Sequence, residues 1–141
     1  MAEACLFAIR PAGDALLVAH ATPGLRDAVA SLHIPVGAGV SGWVAANRST
    51  IRSAGPALDV GTLADVFGLR VSTSTPVFAR GELFGVLTAY GADATRFSDH
   101  AVAAVGNLAQ EVGLMIAYAE AKRADDSTLT GPVGVSMAAA S

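Results

Sequence analysis

The sequence predicts an α+β domain built on an antiparallel sheet. Three observations lead there. Residues 4–21 and 70–90 each read as two strands around a short turn, so each is a hairpin. Between them, three glycines in six residues (Gly37, Gly39, Gly42) lead from a short apolar run into a short helix. The last regular stretch, 98–123, carries apolar residues at helical spacing.

Composition narrows the class. The 141 residues suit one domain, and a hydrophobic share of 52% is enough to bury a core. Charged residues make up 15%, well under the usual quarter. A surface so short of charge is expected to be covered, in a dimer or against neighbouring domains. Net charge is −3, Lys122 is the sole lysine and the arginines are scattered singly, so no basic patch for nucleic acid is predicted. No apolar run approaches the ~20 residues of a membrane span, and Met1 to Glu3 does not open a signal peptide. A single cysteine forms no internal disulfide and no cysteine-rich metal site, which makes the cytoplasm the expected compartment.

Along the chain, Ala4 to Arg10 reads as a strand with Cys5, Phe7 and Ile9 on one face and Leu6 and Ala8 on the other. Both faces are apolar, as in a sheet covered on both sides. Pro11-Ala12-Gly13-Asp14 turns the chain into a second strand, Ala15 to Ala21. Leu25, Val29 and Leu32 space a short amphipathic helix. The glycine-rich turn follows, with Gly39 expected at positive φ and free N–H groups at the start of the helix Val40 to Ala46. Thr50 to Ser53 reads as a short strand and Ala54-Gly55-Pro56 as a loop. Leu58 to Phe67 reads as a broken helix or lid carrying Asp59 and Asp65. Arg70 to Ala79 and Glu82 to Tyr90 form the second hairpin around Arg80-Gly81. Alternation there puts Ser72, Ser74 and Phe78 on one face and Val71, Thr73, Thr75 and Val77 on the other.

The final helix opens with Ser98 as N-cap, a Phe97–Val102 staple across it, and Asp99 at the positive helix end. Val102, Val105, Leu108, Val112, Met115 and Ile116 follow the helical rule to about Arg123. Met115, Ile116 and Tyr118 span more than one apolar face, more than a sheet alone should cover. Gly106 and Gly113 each weaken the helix by roughly 1 kcal/mol relative to alanine and suit close approach of another helix. The domain is therefore placed at 1–123, and 124–141 reads as a linker or frayed tail.

Gly37-x-Gly39-x-x-Gly42, with Asp59 downstream, matches the dinucleotide-binding pattern in spelling only. That pattern needs a buried strand before it and a long helix after it. Here Pro35 sits in a three-residue run, and the helix spans about two turns.

The stretch Ile34-Pro35-Val36-Gly37-Ala38-Gly39-Val40, then Gly42-Trp43-Val44-Ala45, resembles the middle of a GAF domain, the small-ligand sensory module of signalling proteins. Thr75 to Leu87 looks like that family's paired core strands, and Phe97-Ser98-Asp99 leads into a last helix as the family's does. The resemblance covers residues 4 to 122. It implies five or six antiparallel strands in the order 2-1-5-4-3 with helices on both faces. It also implies an opening helix, which is missing ahead of the first strand here, and pairing through the first and last helices.

The function implied is a non-catalytic sensory or regulatory module with no cofactor. Its pocket is expected between the sheet and the segments Gly37 to Ala46 and Leu58 to Arg70. Trp43, Phe67 and Tyr90 are the expected apolar walls, and Arg70, Thr73 and Thr75 the orienting groups. Arg70 suits a carboxylate or phosphate, its competing reading being a surface ion pair. The expected partners are a small molecule and a second copy, with an output domain fused in a longer protein and neither nucleic acid nor membrane.

Two rival readings stand beside this: a ligand-free dimerisation module, and a small enzyme using Cys5 or the Asp59/Asp65 pair. Against the enzyme, Cys5 has no histidine or second cysteine near it and reads as a small buried hydrophobe, while both aspartates suit caps or solvent. His20, His33 and His100 lack ligand spacing. Haem-, bilin- and cyclic-nucleotide-binding relatives and the methionine sulfoxide reductases each need residues that are absent or misplaced here. Ala124 to Gly131 is similar to the opening of GGDEF cyclase domains, but Pro132-Val133-Gly134-Val135 departs from it.

Overall fold

The computed structural model describes residues 2–55, 57–92 and 97–130. Its strands are β1 (Ala2–Ile9), β2 (Ala15–Ala21), β3 (His33–Pro35), β4 (Ile51–Ala54), β5 (Val71–Ala79) and β6 (Glu82–Gly91). Its helices are α1 (Arg26–Val29), α2 (Gly39–Asn47), α3 (Ala57–Val60), α4 (Leu63–Val66) and α5 (Asp99–Thr130). The six strands form one sheet in the order β3-β2-β1-β6-β5-β4, with antiparallel neighbours throughout. Setting aside the three-residue β3 and renumbering gives 2-1-5-4-3, the order that the resemblance implies.

β3 is the strand the sequence reading lacks. It lies at the sheet edge against β2, where Pro35 can leave a ladder position without a donor. α1 is one turn rather than the longer helix expected, though Leu25 and Val29 are buried as the spacing requires. The lid is two single turns, α3 and α4. α5 continues seven residues past Arg123, because nothing from Ala124 to Thr130 breaks a helix before Gly131-Pro132. Residues 131–141 of the expected tail lie outside the described residues.

The sheet divides the core in two. On one face Cys5, Phe7, Leu16, Val86 and Tyr90 pack with Leu25, Val29, Val44, Ala45, Val60, Ala64 and Leu69 from the helices. On the other, Val77 and Leu87 pack under Ala109, with Val105, Val112 and Ile116 of α5 alongside. Ser98 Oγ accepts the Ala101 N–H at 3.1 Å and caps α5 as expected. Gly113 permits close approach of a strand rather than a helix: a Cβ there would collide with the Phe78 carbonyl of β5. A bulge at Val77/Phe78 turns Phe78 off the Ser72–Ser74 face and into the groove beside α5.

By length and composition alone, α5 from Asp99 to Asp126 is able to cross a membrane, which the search for an unbroken apolar run does not reveal. Glu111 and Glu120 interrupt that run, while Ala109 and Gly113 pack against this domain's own sheet.

The glycine-rich turn has the predicted backbone, with φ of 95° at Gly37 and 62° at Gly39. Gly39→Val therefore forces a β-branched residue into the left-handed region. The expected loss is about 1 kcal/mol or more, read as a lower urea midpoint with unchanged slope.

Candidate functional site

The helix α2 begins without a cap of its own, since its N-cap residue is Ala38 and no side-chain hydrogen bond is made there. The cap comes from α3, eighteen or nineteen residues on. Asp59 Oδ1 accepts the N–H groups of Val40 (2.8 Å) and Ser41 (2.9 Å). These are the second and third residues of the helix, the donors a local cap would satisfy. Asp59 Oδ2 accepts Ser41 Oγ–H at 2.5 Å and the Tyr90 hydroxyl at 3.1 Å.

Ser41 Oγ also lies 2.7 Å from Thr88 Oγ1, which lies 2.8 Å from Ser74 Oγ. A hydroxyl has one hydrogen. Ser41 spends its own on the carboxylate, so Thr88 donates to Ser41 and Ser74 donates to Thr88. The result is a one-way chain from β5 through β6 to α2 and α3. Every member is buried: Asp59 is 8% exposed, and Ser41, Ser74, Thr88 and Tyr90 are fully covered. Among the described residues, no buried side-chain nitrogen or oxygen lacks a partner. The positive end of the α2 dipole and four donors offset the cost of burying this charge.

Cys5 faces the same cluster from β1, paired with Thr88 in the ladder and 2% exposed. Burial first, and the Asp59 charge second, push its thiol from 9.0 up to about 12. The Tyr90 phenol is likewise raised well above its ordinary value, by burial and then by Asp59. Both groups thus hold their protons throughout the physiological range.

The six expected lining residues do not form one wall. Tyr90 is in the core between sheet and helices, and Phe67 packs partly buried against that core. Thr73 and Thr75 are on the opposite face, because strand alternation sets them with Val77 toward α5. Thr73 Oγ1 donates to the Ile51 carbonyl at 3.0 Å, and Thr75 Oγ1 meets Thr50 Oγ1 at 2.8 Å. Trp43 is 40% exposed on α2. Arg70 is half-exposed in a 3.7 Å ion pair with the exposed Asp65.

The space expected to hold a ligand is occupied by Val44, Ala45, Val60, Ala64, Leu69 and Tyr90 themselves. Asp65 does not join Asp59: one is in solvent and the other buried. Among the described residues, no three of His, Cys, Asp and Glu gather where a metal could sit. Sequence reasoning missed the cluster Asp59–Ser41–Thr88–Ser74. Its one visible signal is polar alternation on neighbouring strands, with Ser72 opposite Tyr90 and Ser74 opposite Thr88.

The chain belongs to the GAF domain family, whose model matches residues 1–117. Solved structures agree on the fold. The second GAF domain of DevS from Mycobacterium smegmatis is 20% identical, with a TM-score of 0.69 over 86% of this chain and 83% of that one. The GAF domain of a phosphoenolpyruvate-protein phosphotransferase from Coxiella burnetii is 21% identical, with a TM-score of 0.68 over 86% and 75%. The free methionine-R-sulfoxide reductase from Neisseria meningitidis, solved with its substrate, is 23% identical, with a TM-score of 0.62 over 79% and 64%. No curated protein matches the sequence.

Two outcomes follow from the cluster. Asp59→Ala leaves two α2 N–H groups and two hydroxyls without their acceptor, and the expected cost is about 3 kcal/mol by urea unfolding. Between pH 9 and 12 the unfolded chain releases the Cys5 proton while the native state keeps it. Stability must therefore fall as pH rises through that window, with Tyr90 adding to the slope. Unfolding curves at stepped alkaline pH measure it, and Cys5→Ala should flatten the decline.

Proposed function

We propose that this GAF domain is a non-catalytic sensory or regulatory module that works as a homodimer and relays a change of state through α5. The observation that carries the reading is the build of α5 itself. Its inner side is locked to β5 at Gly113, while Leu114, Met115 and Tyr118 on its outer side are each about 70% exposed. A helix rigid on one side and apolar on the other is suited to pass a change in the sheet to a partner. A small polar ligand would act on the interior between sheet and lid by competing for Asp59, the group that ties α2 and α3 to β6.

The non-catalytic reading is supported by the chemistry of the two candidate groups. The Cys5 thiol is covered and held protonated, so it is a poor nucleophile. Asp59 has four donors and no free lone-pair direction toward solvent.

A second reading, a ligand-free dimerisation module, is favoured by the filled interior and its satisfied polar groups. A thermal-shift screen of small anionic and polar metabolites separates the two. A ligand that raises the melting temperature of the native chain, with the gain reduced in Asp59→Asn, supports the sensory reading. Stability indifferent to the whole panel supports the second. Sedimentation at micromolar concentration tests the dimer common to both.

A further inference from the structure

The outer face of α5 has its own pattern of charge. Tyr118 is two and a half turns beyond the buried Ala109 and so points away from the sheet. Leu114 and Met115 flank it, 72% and 68% exposed, and Leu108 follows at 48%. From Ala101 to Ala121 this outer arc holds one charge, Glu111, and after it come Lys122 and Asp125, all exposed. If two copies met here in parallel, Glu111 would face Glu111, Lys122 would face Lys122 and Asp125 would face Asp125. Directly opposed like charges destabilise a helix pair. Running the second helix the other way removes all three clashes.

We propose that two copies of this chain pair through the outer faces of α5 in antiparallel register, with the two-fold axis crossing the helix between Met115 and Tyr118. This rests on the homodimer reading and adds its geometry. Glu111 of each copy then reaches Lys122 of the other, giving two symmetry-related ion pairs. Tyr118 of each packs on Leu114 and Met115 of the other. Asp125 falls beside the neutral Asn107 and Leu108. The contact spans residues 107–126, ~30 Å of helix. It leaves the domain bodies on opposite sides, because the paired face is the one turned away from each sheet. Such a surface also accounts for the low charge of the helix, since the centre of an interface is depleted of charged residues.

The test uses the full chain. Sedimentation should show a dimer, with Glu111→Lys and Lys122→Glu each weakening it about tenfold, and the double exchange restoring it. In a Cys5→Ala background, Met115→Cys should form an inter-subunit disulfide on mild oxidation. Leu108→Cys should not, its two copies being ~25 Å apart along the antiparallel pair. A dimer in which Leu108→Cys cross-links, or in which the charge exchanges have no effect, overturns the antiparallel register while leaving the homodimer intact. A wild-type chain that stays monomeric overturns both.

Discussion

One buried carboxylate holds the closed half of this molecule together. Asp59 occupies the N-terminus of a helix that has no cap residue of its own, and it does so from a different helix. The glycine-rich turn depends on it, because the positive φ at Gly37 and Gly39 points the α2 N–H groups inward where water is excluded. The lid depends on it as well: α3 is a single turn, too short to be stable unaided. The sheet enters the same arrangement through the hydroxyl chain from Ser74 and Thr88 and through Tyr90. A charge with so many partners is costly to leave half-satisfied, so the four elements joined through it, α2, α3, β5 and β6, close as a unit.

The two faces of the sheet consequently differ in kind. The Asp59 face is thick, with helices and strands interlocked around a polar centre. The α5 face is thin, and α5 contacts β5 far more than β6. Phe78 remains 41% exposed beside it, and a groove of about 560 Å³ runs between Thr75, Pro76 and Phe78 and the helix. The close approach at Gly113 holds the helix at one point, while its smaller residues leave room elsewhere. The two layers share strands, since Tyr90 and Ala89, or Ser74 and Thr75, are chain neighbours pointing to opposite faces.

The fold by itself carries no chemistry, because one architecture hosts many functions. What decides the matter is where reactive groups fall within it. In this chain the Cys5 thiol is inside the core and shielded, and the buried carboxylate of Asp59 already accepts from four donors. Both face the packed interior between the sheet and the helices.

The sequence alone determined several features that depend on local period or backbone chemistry. Both hairpins, the capped start of the last helix and the positive φ of Gly39 were legible, because alternation, a serine N-cap and a glycine turn act within a few residues. The family pattern added the strand order. The tertiary structure alone decided what depends on partners distant in the chain. Asp59 could be read as a cap, but not as the cap of a helix eighteen residues earlier, since nothing local pairs it with Val40 and Ser41. Thr73 and Thr75 could be placed with Val77, yet the choice between the lid and α5 was made by the packing of the sheet. Alternation says which residues share a face, whereas only the assembled layers say what covers it.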